Sequence, residues 1–225
     1  MVMGITAKAL AERFPRLFHM AEAGSWPSIE RHGLLSTSAL LDLFEVRGRP
    51  REALEACHRP ESVRLQHARH GWAVIRDQKP MDDKGLSRCL GGGLTPTAWY
   101  RLLNAQVFFW LDSRRLDTLL EARAYRDRRQ TVLTLDTACL LSRYEAQVRL
   151  SPINSGATKP FPQPRGPATF LPLSTYPFAE WDQKRKRKEP VVELTVQHSV
   201  PALQACVLRV EERGGGQPSR TLFER

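Results

Sequence analysis

The sequence predicts an α+β domain. Short strands mix with helices in no regular βαβ order, and several strands end in hairpin-like links. Neither GxGxxG nor a Walker sequence is present, so two common nucleotide cradles are absent.

Taken in order, Leu17-Phe18-His19-Met20 is a short apolar run that suits a buried strand. Ser25-Trp26-Pro27-Ser28 reads as a helix start, with Ser25 as N-cap and Pro27 in the first turn. Gly33 offers that helix a C-terminal stop. Ser36 or Ser38 can cap a second helix over 39–44. Residues 48–70 are polar and rich in Arg and His, and read as an irregular link with one helix over 51–57. A strand follows over 72–75, ending at Arg76-Asp77-Gln78.

Gly91-Gly92-Gly93 marks a loop. Thr95 and Pro96 start a helix running to Leu103. Val107-Phe108-Phe109-Trp110-Leu111 is a continuous apolar strand, which calls for cover on both faces. A helix over 113–124, a strand over 131–135, an Asp136-capped helix over 137–143 and a short strand over 148–150 complete this stretch. Residues 151–190 hold many prolines and one charge block, and a loop this long is usually functional or disordered. Strands over 191–196 and 205–211 close the fold. The expectation is one domain over 1–212 with a flexible C-terminal tail over 213–225.

Composition narrows the function classes. The chain has 225 residues, 41% hydrophobic and 26% charged, which suits a single globular domain. No apolar run approaches the roughly 18–20 residues that span a bilayer. The first residues carry Lys8, Glu12 and Arg13 and do not read as a signal peptide, so a cytoplasmic protein is expected. Cys57, Cys89, Cys139 and Cys206 lie far apart and irregularly, which suits reduced thiols. Neither the cysteines nor the histidines show a metal-ligand spacing, so no metal is expected and a zinc deaminase is disfavoured. The net charge of +10 and pI near 9.9 favour polyanionic partners.

Several residues could carry chemistry. Glu193 stands in the strand Val191-Val192-Glu193-Leu194-Thr195-Val196, sharing a face with Thr195. It is either an exposed Glu on a solvated sheet face or a carboxylate whose burial needs a purpose. The run Lys184-Arg185-Lys186-Arg187-Lys188 is either a solvated charge block or a phosphate-binding loop beside that strand. Ser151 to Thr158, with Asn154 and Ser155, can hold a sugar, base edge or phosphate, or can simply be turn chemistry. Arg76, Asp77 and Arg114 sit just past strand ends, where sites gather. His19 lies in a short apolar strand, where a satisfied core histidine is the plain reading.

These pieces together resemble DarT-type DNA ADP-ribosyltransferases. The chain runs Leu17-Phe18-His19-Met20 and then Trp26-Pro27-Ser28-Ile29-Glu30-Arg31-His32-Gly33-Leu34. In that family a His-bearing strand is followed by a helix of the form N-L-x-S-I-L-x-x-G. Val191 to Val196 with the trailing Val200-Pro201 is similar to the family's strand carrying the catalytic glutamate. Val107 to Arg114 is similar to an aromatic strand ending in a functional Arg. The chain is also similar to a bacterial family carrying VFFWLD, SPINSGAT and FLPL blocks, which implies no activity of its own.

The transferase resemblance implies two small antiparallel sheets with flanking helices and NAD bound between them. Cleavage of the nicotinamide–ribose bond then passes through an oxocarbenium-like centre. Glu193, Arg114 and Asp77 are the catalytic candidates. Arg114 would pair with the pyrophosphate. His19, Ser36, Thr37, Asn154 and Ser155 would hold NAD, and Lys184 to Lys188 the acceptor. The acceptor is DNA, with RNA as an alternative, and its target base must stand outside the stack. Toxin or phage-defence biology would follow from the same resemblance, and the sequence does not reveal whether there is an antitoxin partner. A DNA glycosylase working without NAD and a non-catalytic nucleic-acid-binding module are the alternatives.

Overall fold

The computed structural model describes residues 4–185 and 189–225. In chain order the first half contains α1 (Ala7–Arg13), β1 (Arg16–Glu22), α2 (Trp26–His32), β2 (Leu34–Leu35), α3 (Thr37–Leu43), α4 (Gly48–Glu55), β3 (Val63–His67), β4 (Gly71–Ile75), α5 (Asp83–Cys89) and α6 (Pro96–Asn104). The second half contains β5 (Gln106–Trp110), α7 (Ser113–Glu121), β6 (Arg129–Asp136), α8 (Thr137–Tyr144), β7 (Val148–Ser151), α9 (Phe178–Lys184), β8 (Glu193–Gln197), β9 (Ser199–Val200), β10 (Val207–Gly214) and β11 (Arg220–Glu224). The α+β class is as expected.

Local chemistry accounts for many boundaries. The Ser36, Asp82, Thr95 and Asp136 side chains each accept a backbone N–H from the first turn of α3, α5, α6 and α8. Ser25 holds the N-cap position of α2 but makes no capping bond. Gly33 ends α2 at φ +78°, and a Cβ there would meet Val200 O at 2.3 Å. Gly33→Ala is therefore expected to cost about 2 kcal/mol or more. A lowered urea midpoint would report it, whereas an unchanged midpoint would mean that the β2–β9 contact yields without cost.

Among the described residues the main sheet has seven strands, in the order β11-β10-β6-β1-β5-β8-β7, and all neighbours are antiparallel. Two ribbons, β2–β9 and β3–β4, stand apart from it. The expected pair of small sheets is thus replaced by one large sheet and two ribbons. That sheet nonetheless almost parts in the middle. β1 pairs with β6 along its whole length, from Arg16↔Asp136 to Glu22↔Gln130. On its other side it meets β5 only at Phe18↔Trp110. Beyond that point the two strands are bridged by a side chain, His19 Nδ1 to Phe108 O at 2.8 Å.

Alternation along the strands assigns the two faces. Leu17 and Ala21 of β1, Phe109 of β5, Leu133 and Leu135 of β6, and Leu194 and Val196 of β8 enter the principal core with α1, α2 and α8. On the opposite face Phe18, Met20, Trp110 and Val132 pack with Leu116 and Leu120 of α7. Phe108 and Phe170 pack beside Trp99 and Tyr100 of α6.

Four expectations are corrected. Residues 213–225, expected as a flexible tail, form a turn and β11, which pairs with β10 from Arg209↔Glu224 to Glu212↔Arg220. Cys139 and Cys206, expected as reduced thiols, form a disulfide with Cα atoms 5.4 Å apart. The bond from Asp136 N–H to Cys206 O at 2.8 Å already draws those segments together. The link over 48–70 contains β3, and the proline-rich stretch 151–190 contains α9. That stretch is tied down by Arg165, whose guanidinium donates to Ser155 O and Ala157 O at 2.7 Å each and to Gln163 O at 3.0 Å. No described helix is long and apolar enough to cross a membrane.

Candidate functional site

The parting of the sheet opens a cleft of about 340 Å³. One wall is β1 with His19, and another is β5. The start of α3 contributes Ser36 and Thr37, the end of β4 contributes Arg76 and Asp77, and Asn154 and Glu193 close the far side. Residues from six separate stretches of the sequence thus converge on one space.

Glu193 is the first residue of β8 and faces Trp110 on β5 and Ser151 on β7. It is only 3% exposed, because the loop through Ser155 lies against its carboxylate. The solvated-face alternative therefore does not hold. The Ser155 N–H donates to both of its carboxylate oxygens, at 3.2 and 3.1 Å. Burial pushes the Glu193 carboxyl up to about 7, opposed by Ser155 and by the charges of Arg115 and Arg165. Ser155 Oγ is also buried and has no hydrogen-bond partner among the described residues. Ser155 thus anchors the carboxylate from behind, and does not itself line the cleft.

His19 is held by its bond to Phe108 O. A carbonyl only accepts, so Nδ1 carries the proton and Nε2 is left as an acceptor in the neutral ring. Burial, and then the charge of Arg76, lower the His19 pKa to about 4, against the raising effect of the Phe108 carbonyl. The ring is neutral at physiological pH.

Two arginines at the cleft lack a carboxylate partner among the described residues. Arg59, 6% exposed, donates to the carbonyls of Leu54 and Arg76 and to Asn104 Oδ1. Burial lowers its pKa to about 10. Arg76 lies over the Tyr125 ring at 4.9 Å and donates from Nη1 to Met20 O at 3.2 Å. Its Nε is buried with no partner among the described residues. Neither arginine forms an ion pair with a described carboxylate.

Not every expected residue arrives here. Arg114 does not line the cleft: its guanidinium is 79% exposed and is taken up by Asp112, with Nε to Oδ2 at 2.9 Å. Arg114 in turn holds the Asp112 carboxyl well below the usual range. The expected place of Arg114 at the pyrophosphate is corrected on this ground, because Arg114 lies in the first turn of α7 and its side chain turns back to that helix's N-cap, Asp112. Asp77 lines the cleft but accepts from Tyr125 Oη at 2.6 Å, Ser62 Oγ at 3.3 Å and Lys79 N at 3.2 Å. A carboxylate so occupied positions its neighbours and is poorly placed to take a proton. Lys184 and Arg185 line a second groove, not the cleft, and Lys186, Arg187 and Lys188 lie outside the described residues. Among the described residues, no group of three His, Cys, Asp or Glu side chains is placed to hold a metal ion.

Arg59, Gln106 and Arg165 were not legible as site residues. Gln106 accepts from the Thr195 hydroxyl, next to Glu193 along its face of β8. Arg59 sits in the polar stretch before β3, where arginines are common and only the fold distinguishes the buried one.

A family model described as a family of unknown function (DUF7002) matches residues 15–207. No curated protein and no solved structure matches the chain.

Proposed function

The chain belongs to this family, and from its cleft we propose that it transfers ADP-ribose from NAD to a base of a nucleic acid. The observation that carries this reading is the buried Glu193 carboxylate, which lines one cleft with His19, Ser36 and Asn154. A carboxylate is costly to bury, and such groups cluster where chemistry uses them.

The residues fit NAD. Arg76, with its unpartnered Nε, and Arg59 suit the diphosphate. The open acceptor on His19 Nε2 suits a ribose hydroxyl. Phe18, Leu40, Met81 and Phe109 supply apolar wall for flat rings. Thr37 and Asn154 add polar contacts at the rim.

NAD supplies an activated ribosyl group whose bond to nicotinamide breaks as positive charge develops on the ribose. Ionised Glu193 stabilises that charge, or the hydroxyl beside it, from a fixed position. Its low-dielectric surroundings make the interaction stronger than in water. Ser155 N–H keeps the carboxylate from turning. Asp77 fixes Tyr125, on which the Arg76 guanidinium rests.

The Glu193 carboxyl must be ionised, and its value of about 7 sets a pH dependence. Nicotinamide release in the presence of an oligonucleotide is expected to rise about tenfold per pH unit below 7 and to level off by about 8. A profile flat from pH 5.5 to 8 would remove Glu193 from this role. Base loss in the absence of NAD would replace the transferase by a glycosylase in the same cleft.

A further inference from the structure

A second groove, of about 760 Å³, lies on the other side of Asn154. Its cations are Arg115, Lys159, Lys184 and Arg185, and none of its described lining residues is acidic. Some of that charge is already shared. Arg115 pairs with Glu189 at 2.9 Å, Lys159 with Asp82 at 3.0 Å and Lys184 with Glu180 at 3.8 Å. Arg185 donates to two carbonyls, Glu189 O and Pro152 O, lies over the Trp181 ring at 4.7 Å, and pairs with no carboxylate among the described residues. The same groove carries Phe161, which is 80% exposed and is the large apolar side chain left to solvent among the described residues. A single exposed aromatic on an ordinary surface means little. An exposed ring set among cations matches what an unpaired polynucleotide needs, a charge track for phosphates and a face for a base.

The groove also joins the cleft. Asn154 lines both, and Val192 in the groove is followed directly by Glu193 in the cleft. We propose that this groove holds single-stranded nucleic acid, with phosphates along Lys159, Lys184 and Arg185, one base stacked on Phe161, and the neighbouring base delivered past Asn154 to Glu193. The delivery step rests on the transferase reading above, whereas strand binding does not. Duplex is excluded from the stack because its bases already cover one another.

The test is fluorescence anisotropy with end-labelled single-stranded DNA, single-stranded RNA and duplex DNA, without NAD, on the full chain. Single strands are expected to bind more tightly than duplex. Phe161→Ala is expected to raise their Kd about 5- to 100-fold, with Phe161→Tyr near the parent value. The side chain is exposed, so the fold should survive, and circular dichroism checks this. Lys159→Gln with Lys184→Gln should lower the slope of log K against log salt by about 1.4. The relative affinities of the two single strands identify DNA or RNA as the ligand. Equal binding by Phe161→Ala and the parent, or equal binding of duplex and heparin with no effect of Phe161, would overturn the proposal. Strand binding that depends on Phe161 without any NAD-dependent product would leave the groove standing and remove the transferase. A product formed equally well by Phe161→Ala would do the reverse.

Discussion

Glu193→Gln is expected to lose at least 10²–10³-fold of the transfer rate and yet to melt at a higher temperature at pH 8. Both effects have one cause. The buried carboxyl has a value of about 7 in the folded protein against an ordinary 4.5. Below pH 4.5 both states hold the proton and burial costs no ionisation. Between 4.5 and 7 the unfolded chain ionises while the folded one stays protonated, so stability falls as pH rises. Above 7 the folded group is ionised too, and the full cost of about 3 kcal/mol persists. Glutamine keeps an acceptor for Ser155 N–H and has no charge to bury. The variant should therefore gain about 5–10 °C at pH 8, and the difference should vanish near pH 4.5. Unfolding curves for both proteins at the two pH values check this. A variant less stable than the parent at pH 8 would mean that the carboxylate is held by partners strong enough to offset its burial.

Arg76→Gln is expected to raise the KM for NAD about 100-fold with little change in kcat, whereas Arg114→Gln should stay within about twofold of the parent. Removing one charged partner from a buried anion contact costs a few kcal/mol. Arg76 has the buried, unpartnered Nε at the cleft, while Arg114 is exposed and bound to Asp112. Steady-state kinetics with NAD as the varied substrate separates the two. A large loss in Arg114→Gln with a normal Arg76→Gln would return the diphosphate to the end of β5 and require that segment to turn inward.

Parts of this architecture are legible in the sequence for local reasons. Trp26-Pro27 and Gly33 bound α2, and the short apolar runs of β1 and β5 mark two of the central strands. β3 escapes notice although Val63, Leu65 and His67 alternate with Arg64 and Gln66, because the surrounding polar residues mask the period. β11 is hidden behind three successive glycines. The disulfide joins residues 67 apart in sequence, so spacing alone says nothing of it. His19, Ser36, Asn154 and Glu193 can be picked out one by one, but their meeting depends on how β1 and β5 part. The burial of Glu193 depends on which segment folds over β8. That is set by Arg165 and its bonds to Ser155 O and Ala157 O, a long-range arrangement with no local signature. The difference between Arg76 and Arg114 is of the same kind, since both follow strands and only the turn after each strand decides where the guanidinium goes.

The most direct test of the account is mass spectrometry of single-stranded DNA and RNA incubated with the protein, with and without NAD, beside Glu193→Gln. The account predicts a gain of one ADP-ribose that requires NAD and disappears in the variant. An NAD-dependent product formed equally by Glu193→Gln, or base loss that needs no NAD, would contradict it.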